Sequence, residues 1–303
     1  MAILISMNFA FSTNAYLRFS FAEACRRLAA IGYPAVEIMA DVPHAWPAYL
    51  LPEQKQAIRD ALAANELQIS NINSFMMHAI DDHRQRYWHP SWIEPDYNYR
   101  RIRIDHTKRA LTLAKDLGAR CITTEPGGPV GPGESWSGAL KLFVEMIKPV
   151  AEHAEKEGVL LLVEPEPGLL IERCEQAEEF MRHMTSPAVG LNFDIGHQYC
   201  VGEDPADSVK RLTKWLRHVH LEDIAATRVH HHLIPGEGAI DFASVLRAIQ
   251  EIGYAGWVTI ELYPYTDDPD HAARTALDRI RKIATGLTAS TRPALPRPPS
   301  SPA

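Results

Sequence analysis

Four apolar residues, Leu160 to Val163, run directly into Glu164-Pro165-Glu166-Pro167. A buried strand ends in two carboxylates only where something compensates them, because an unpaired charge taken out of water costs several kcal/mol. The pattern recurs along the chain. Short apolar runs carry or deliver Glu37, Glu125, Asp194, His218, His220, Glu222 and Glu261; His197 follows Asp194 by three residues, and the run at 67–75 leads to His78. Several carboxylates gathered in one pocket repel one another and resist desolvation. A divalent cation removes that conflict. Oxygen-rich ligation with one imidazole suits Mn²⁺ or Mg²⁺, with Co²⁺ and Zn²⁺ as alternatives. Glu164 is therefore expected to face a metal.

Each of these residues also has a purely structural account. A strand-end carboxylate commonly caps a helix or forms half of an ion pair, and for Glu37 and Glu125 that account stands beside a place at the rim, Glu125 being counted among the substrate contacts. Glu166, turned back by the proline, is read as touching substrate or the surroundings of the metal. His218 and His220 share one strand face by period two. His220 lies nearer the rim, and His218 is expected to pack. Asp105 and His106 are placed on the solvated face of a helix.

The elements that must position these groups alternate strictly. Apolar runs at 3–9, 35–41, 67–75, 121–127, 160–167, 189–196, 218–224 and 257–264 are each followed by an amphipathic stretch. The first helix has Ser20 and Glu23 in capping-box spacing and Gly32 as its stop. Another opens with Asp204 as N-cap and Pro205 at its first position. Eight strand–helix units with no internal boundary predict a parallel sheet covered by helices. A (β/α)₈ TIM barrel over residues 1–290 fits the count, and a doubly wound open sheet is the alternative. In such a barrel the active site lies at the C-terminal strand ends, which is where the charges fall. The Pro-rich tail 291–303 is expected to be disordered.

Composition limits the partners. A net charge of −7 offers no electrostatic footprint for nucleic acid or an anionic membrane. No apolar run reaches the ~20 residues of a membrane span, and MAILISMNFAF lacks a basic leader and a cleavage site. Cytoplasm is the expected compartment. Cys25, Cys121, Cys174 and Cys200 form no C-x-x-C pair and are expected to be small buried hydrophobes. Tyr16, His78, Trp88, Trp92 and Trp136 fall in expected loops, where they form either an apolar lid over a ligand or a subunit interface. A homo-oligomer, dimer or tetramer, is expected.

Five segments together resemble one known family: E-P-E-P-G (164–168), N-F-D-I-G-H (192–197), H-V-H-L-E-D (218–223), H-L-I-P-G-E-G-A-I-D-F (232–242) and T-I-E-L-Y (259–263). In order and at strand ends, they resemble the xylose isomerase-like TIM-barrel superfamily, which includes sugar phosphate isomerases, ketose 3-epimerases, inosose dehydratases and endonuclease IV. The resemblance implies one metal held by Glu164, Asp194, His220 and Glu261. It implies that His197 contacts substrate, and that Glu164 and Glu261 move a proton on either face of a small sugar or polyol. Two departures matter. Where ketose epimerases tend to carry an arginine this chain has Ala226, with Arg228 two residues on as a substrate contact. The run 229–238 is similar to a metal-binding loop of endonuclease IV, so His230 and His232 either bind a second metal or contact substrate; the second reading is adopted. The implied activity is that of a metal-dependent isomerase or epimerase. The alternative on the same scaffold is a lyase that dehydrates a keto-inositol or eliminates from a 3-keto sugar. A DNA-repair nuclease is opposed by the acidic charge, and a binding protein without catalysis by the complete ligand quartet.

Overall fold

The computed structural model describes residues 7–80 and 86–290. Eight parallel strands close into a barrel in sequence order. They are β1 (Asn8–Ser12), β2 (Ala35–Met39), β3 (Gln68–Asn73), β4 (Cys121–Thr124), β5 (Leu160–Val163), β6 (Val189–Asp194), β7 (Leu216–Leu221) and β8 (Trp257–Ile260). Register closes the ring where Phe11 of β1 pairs with Ile260 of β8. Helices α1 (Phe21–Ile31), α2 (Pro52–Ala64), α3 (Tyr97–Leu117), α4 (Trp136–Glu157), α5 (Cys174–His183), α6 (Ile195–Cys200), α7 (Pro205–Leu212), α8 (Phe242–Glu251) and α9 (Pro269–Ser290) lie between and after the strands. No helix among the described residues is long and apolar enough to cross a membrane.

The local signals act much as their chemistry requires. Ser20 accepts the Glu23 N–H, and Gly32 ends α1 in the left-handed region at φ 108°. The capping box is only half made, because the Glu23 carboxylate turns outward to Arg26 and Arg27. Asp204 caps α7 through Ala206 and Asp207, with Pro205 at its first position. Among the described residues β1 starts at Asn8 and buries Phe9, Ala10, Phe11 and Ser12; the expected strand residues 3–6 lie outside the described residues. So does the tail 291–303.

The expected aromatic lid is not formed by the residues named for it. Trp92 is fully buried against Phe143, its Nε1–H donating to Thr124 Oγ1. Tyr16 is buried too, and its hydroxyl donates to Asp270. Trp136 donates to the Leu170 carbonyl. Half-buried Trp88 belongs to a loop clamped by Arg103, a fully buried guanidinium that donates to the carbonyls of Ser74, Phe75, Trp88 and Pro90. Glu125 belongs to the same clamp. It accepts from the backbone of Trp92 and Gly127 and lies 3.8 Å from Arg103. Captured by these donors one residue beyond β4, it does not reach the mouth.

His106 also departs from expectation, whereas its neighbour Asp105 is exposed as expected. Its ring is buried and stacks on Trp46 at 4.8 Å, because the β2–α2 connection folds over α3. Burial and the Arg103 charge hold its pKa down at about 3, over an opposing Ser74 carbonyl. An unfolded histidine titrates near 6.5. Below that pH the unfolded chain takes up a proton that the folded chain refuses, so this group removes stability as pH falls from about 6.5 toward 3. Replacement by phenylalanine is expected to remove that slope. In urea denaturation, the stability difference between wild type and His106→Phe should shift by about 1.4 kcal/mol per pH unit below 6. A constant difference from pH 7 to 5 would contradict the burial argument.

Candidate active site

Each ionisable group at the mouth is aimed by the turn that follows its strand. Asp194 ends β6 and caps α6, its Oδ1 accepting the His197 N–H at 2.8 Å. One turn thus directs Asp194 and His197 inward together. Gly196 between them is obligatory, since a Cβ there would lie 1.8 Å from Glu222 Oε1. Glu164 follows β5, and the carbonyl of Pro165 receives His197 Nδ1 at 2.9 Å. Glu261 follows β8, with its Oε1 accepting from Asn14 (2.9 Å) and Asn73 (3.2 Å).

His220 lies on β7 between these carboxylates. Its Nδ1 is 2.7 Å from Glu164 Oε1, 3.7 Å from Glu261 Oε2 and 3.9 Å from Asp194 Oδ2. Ligand atoms from Glu164, Asp194, His220 and Glu261 all lie within 4.8 Å of one another, and all four residues are buried. A Mg²⁺-sized ion holds oxygens at about 2.1 Å, which puts opposite ligands about 4.2 Å apart. Asp194 Oδ2 is buried without a hydrogen-bond partner, and Glu164 Oε1 meets only the Nδ1 of His220, itself a ligand of the set, so each oxygen has a lone pair to give. The donor set fits one divalent cation.

The electrostatics carry the same message. Burial, then Glu164, Glu37 and Asp194, push Glu261 well above the usual carboxylate range, against the pull of His220. Burial and the charges of Glu164, Asp194 and Glu261 do the same to Glu166. Burial opposes the charge on Asp194, yet His197, a hydrogen bond with Glu222, His232 and His220 outweigh it and leave the group low. Burial likewise disfavours a charged His220, but Glu164, Glu37 and Glu261 raise it well above the imidazole range. The pocket holds more carboxylates than its own cations neutralise.

A second group borders the first. His197 Nε2 and His232 Nε2 each lie 3.1 Å from His230 Nε2, and Glu166 is 3.2 Å from His197 and 3.3 Å from His230. His232 Nδ1 is bonded to the Glu261 carbonyl at 2.9 Å. Backbone anchors at Nδ1 leave the Nε2 lone pairs of His197 and His232 facing the cavity. The loop bearing His232 is stapled by Asp223, whose carboxylate accepts from Ile224, Gly236, Gly238 and Ile240. This is the structural work of the E-D and P-G-E-G segments.

Between these groups opens a cavity of about 150 Å³. Glu164, Glu166, Glu261, His197, His230 and His232 form its polar side; Asn73, Phe75, Met76, Tyr87 and Tyr263 complete it. The structure therefore brings together eight of the residues named from sequence, and leaves four apart. His78 is exposed, its backbone N–H held by Asp41. Arg228 is exposed, with its guanidinium 4.1 Å over the Tyr199 ring and donating to the Tyr199 carbonyl. Glu125 and Trp92 are tied into the Arg103 clamp. Sequence reasoning missed Asn14, Asn73, Phe75, Tyr87 and Tyr263. For Asn73 a signal existed, the alternation Asn71, Asn73 at the end of an apolar strand; for Tyr87 there was none.

Comparison with known proteins places this barrel. The family model described as xylose isomerase-like TIM barrel matches residues 25–283, and the chain belongs to that family. It is 27% identical over 279 residues to fructoselysine 3-epimerase of Escherichia coli O157:H7, covering 89% of this chain and 96% of the relative. An inosose dehydratase of Geobacillus thermodenitrificans is 27% identical over 149 residues, 44% of this chain and 49% of the relative. Among solved structures, a D-tagatose 3-epimerase-like protein superposes with TM-score 0.79 at 22% identity, covering 94% of this chain and all of the other. The IOLI protein, described with a bound zinc atom, superposes with TM-score 0.75 at 21% identity over 93% and 99% of the two chains.

Proposed function

We propose that the protein is a metal-dependent isomerase or epimerase of a small sugar or polyol, working by proton transfer beside a carbonyl. One observation carries the reading: two cavity-lining carboxylates, Glu164 and Glu261, reach the same ligand cluster from β5 and β8. The similarity to fructoselysine 3-epimerase over nearly its whole length supports it. Glu164, Asp194, His220 and Glu261 would hold the ion. When bound, that ion polarises the substrate carbonyl and stabilises the enediolate charge. Three carboxylates and one imidazole favour Mn²⁺ or Mg²⁺.

The chain's own residues supply the rest. Glu164 and Glu261 flank the cavity, so one takes the proton from one face of the carbon and the other returns it to the opposite face. Asn14 and Asn73 donate to Glu261 Oε1 and fix its orientation. His197, locked by the Pro165 carbonyl, presents Nε2 to the substrate oxygens. Tyr87, Phe75 and Tyr263 cover the site and limit water.

A lyase is the second reading. Glu166 is the observation that favours it, a third buried carboxylate lining the cavity within reach of His197 and His230. It would serve as an acid toward a departing oxygen. Incubation in D₂O with a panel of ketoses, 3-keto glucosides and keto-inositols separates the two. Epimerisation leaves deuterium on carbon and conserves substrate mass otherwise; elimination releases water or an aglycone. No exchange with any of them after Mn²⁺ loading would oppose both.

A further inference from the structure

Glu37 has no role in the scheme so far, yet it is fully buried and carries a carboxylate into the barrel interior from the middle of β2. It is neither a helix cap nor half of a surface ion pair. Its Oε2 lies 2.7 Å from His220 Nε2 and accepts from Asn71 Nδ2 at 2.7 Å. Asn71 Nδ2 also donates to Thr123 Oγ1, which fixes the amide and with it the carboxylate. On the other side of the imidazole, Nδ1 faces Glu164, Glu261 and Asp194, and Asn192 Nδ2 approaches it at 3.2 Å. A carboxylate oxygen only accepts, so Nε2 carries a proton toward Glu37, and Nδ1 is the nitrogen that faces the ligand carboxylates.

We propose that Glu37 is a positioning residue of the metal centre. By taking the Nε2–H of His220 it sets the tautomer and ring rotation that aim the Nδ1 lone pair at the space shared by Glu164, Asp194 and Glu261. The inference rests on the single-cation reading above. A carboxylate behind a ligating imidazole also makes that imidazole a stronger donor. His220 alone among the four ligands can ligate through either of two atoms far apart on its ring, so it alone needs such a guide. Glu37 Oε1 is buried without a hydrogen-bond partner. That leaves the bonds from Asn71 and His220 to Oε2 as the hydrogen bonds that hold the carboxylate, with His218 Nε2 3.9 Å from the same Oε2.

The test uses the full chain as wild type, Glu37→Gln and Glu37→Met, all stripped of metal and titrated with Mn²⁺ against a competing chelator. Glutamine keeps the size and one acceptor oxygen but loses the charge; methionine loses both. Affinity is expected to fall about tenfold in Glu37→Gln and nearer a hundredfold in Glu37→Met, the usual range for such partners. Melting of the metal-free proteins separates this from a fold defect, and in Zn²⁺-loaded wild type the ¹⁵N signals of His220 should report a protonated Nε2 and a ligating Nδ1. Affinities within twofold of wild type in both variants, or a ring that ligates through Nε2, would overturn the inference while leaving the cation site intact. A wild type that binds no ion would overturn the site reading, and the inference with it.

Discussion

Glu261→Gln is expected to lower turnover by ~10² or more, the scale of losing a general base, while the protein still takes up its ion with modestly weaker affinity. The amide keeps the volume and one oxygen, and that oxygen retains the donors Asn14 and Asn73. What is lost is the basic lone pair beside the reacting carbon. Glu164→Gln should do the same from the other face. If each carboxylate serves one face, neither variant interconverts the epimers, but each still exchanges the proton on the face whose carboxylate remains. His197→Ala should behave differently. It leaves the quartet whole, so metal uptake persists while substrate positioning suffers. Steady-state kinetics and solvent-deuterium exchange on the three variants check this. Full activity in Glu261→Gln would move the base elsewhere, with Glu166 and His232 the next candidates at the cavity wall.

Asp194→Ala is expected to lose the ion altogether. Three remaining ligands rarely suffice for a hard cation, and this carboxylate does two jobs. Its Oδ2 is an unpartnered buried oxygen of the quartet, and its Oδ1 caps α6. Removing it therefore also frees the His197 N–H, at about 1 kcal/mol for a lost cap. Asp194→Asn separates the jobs: the amide oxygen can still cap, so stability recovers while the anionic ligand stays lost. Calorimetric Mn²⁺ titration and thermal melting of both variants give the comparison. Undiminished binding in Asp194→Ala would remove Asp194 from the ligand set.

The barrel and its rim were readable because the signals are local. A near-continuous apolar run marks a strand buried on both faces, and its last residue or the one beyond it is at the mouth. Glu164, Asp194 and Glu261 satisfy that rule, and His220 and His197 follow from spacing. The rule fails where a loop intervenes. Glu125 also follows a strand, but the backbone of Trp92 and Gly127 claims its carboxylate before it can reach the cavity. His106 has helical spacing on a polar helix, and only the connection carrying Trp46 decides that it is covered. Contacts across the ring were beyond reach altogether. Nothing in the chain pairs Glu37 on β2 with His220 on β7, or Asn14 with Glu261, because those distances are set by barrel closure.

Metal content is the most direct measurement. Wild-type protein reconstituted with Mn²⁺, dialysed and analysed by elemental mass spectrometry should retain about one divalent ion per chain and lose it to EDTA. The Asp194→Ala protein treated in parallel should retain none. A wild type that holds no ion after exposure to millimolar metal, with its melting curve intact, would contradict the cation site and the enediolate chemistry built on it.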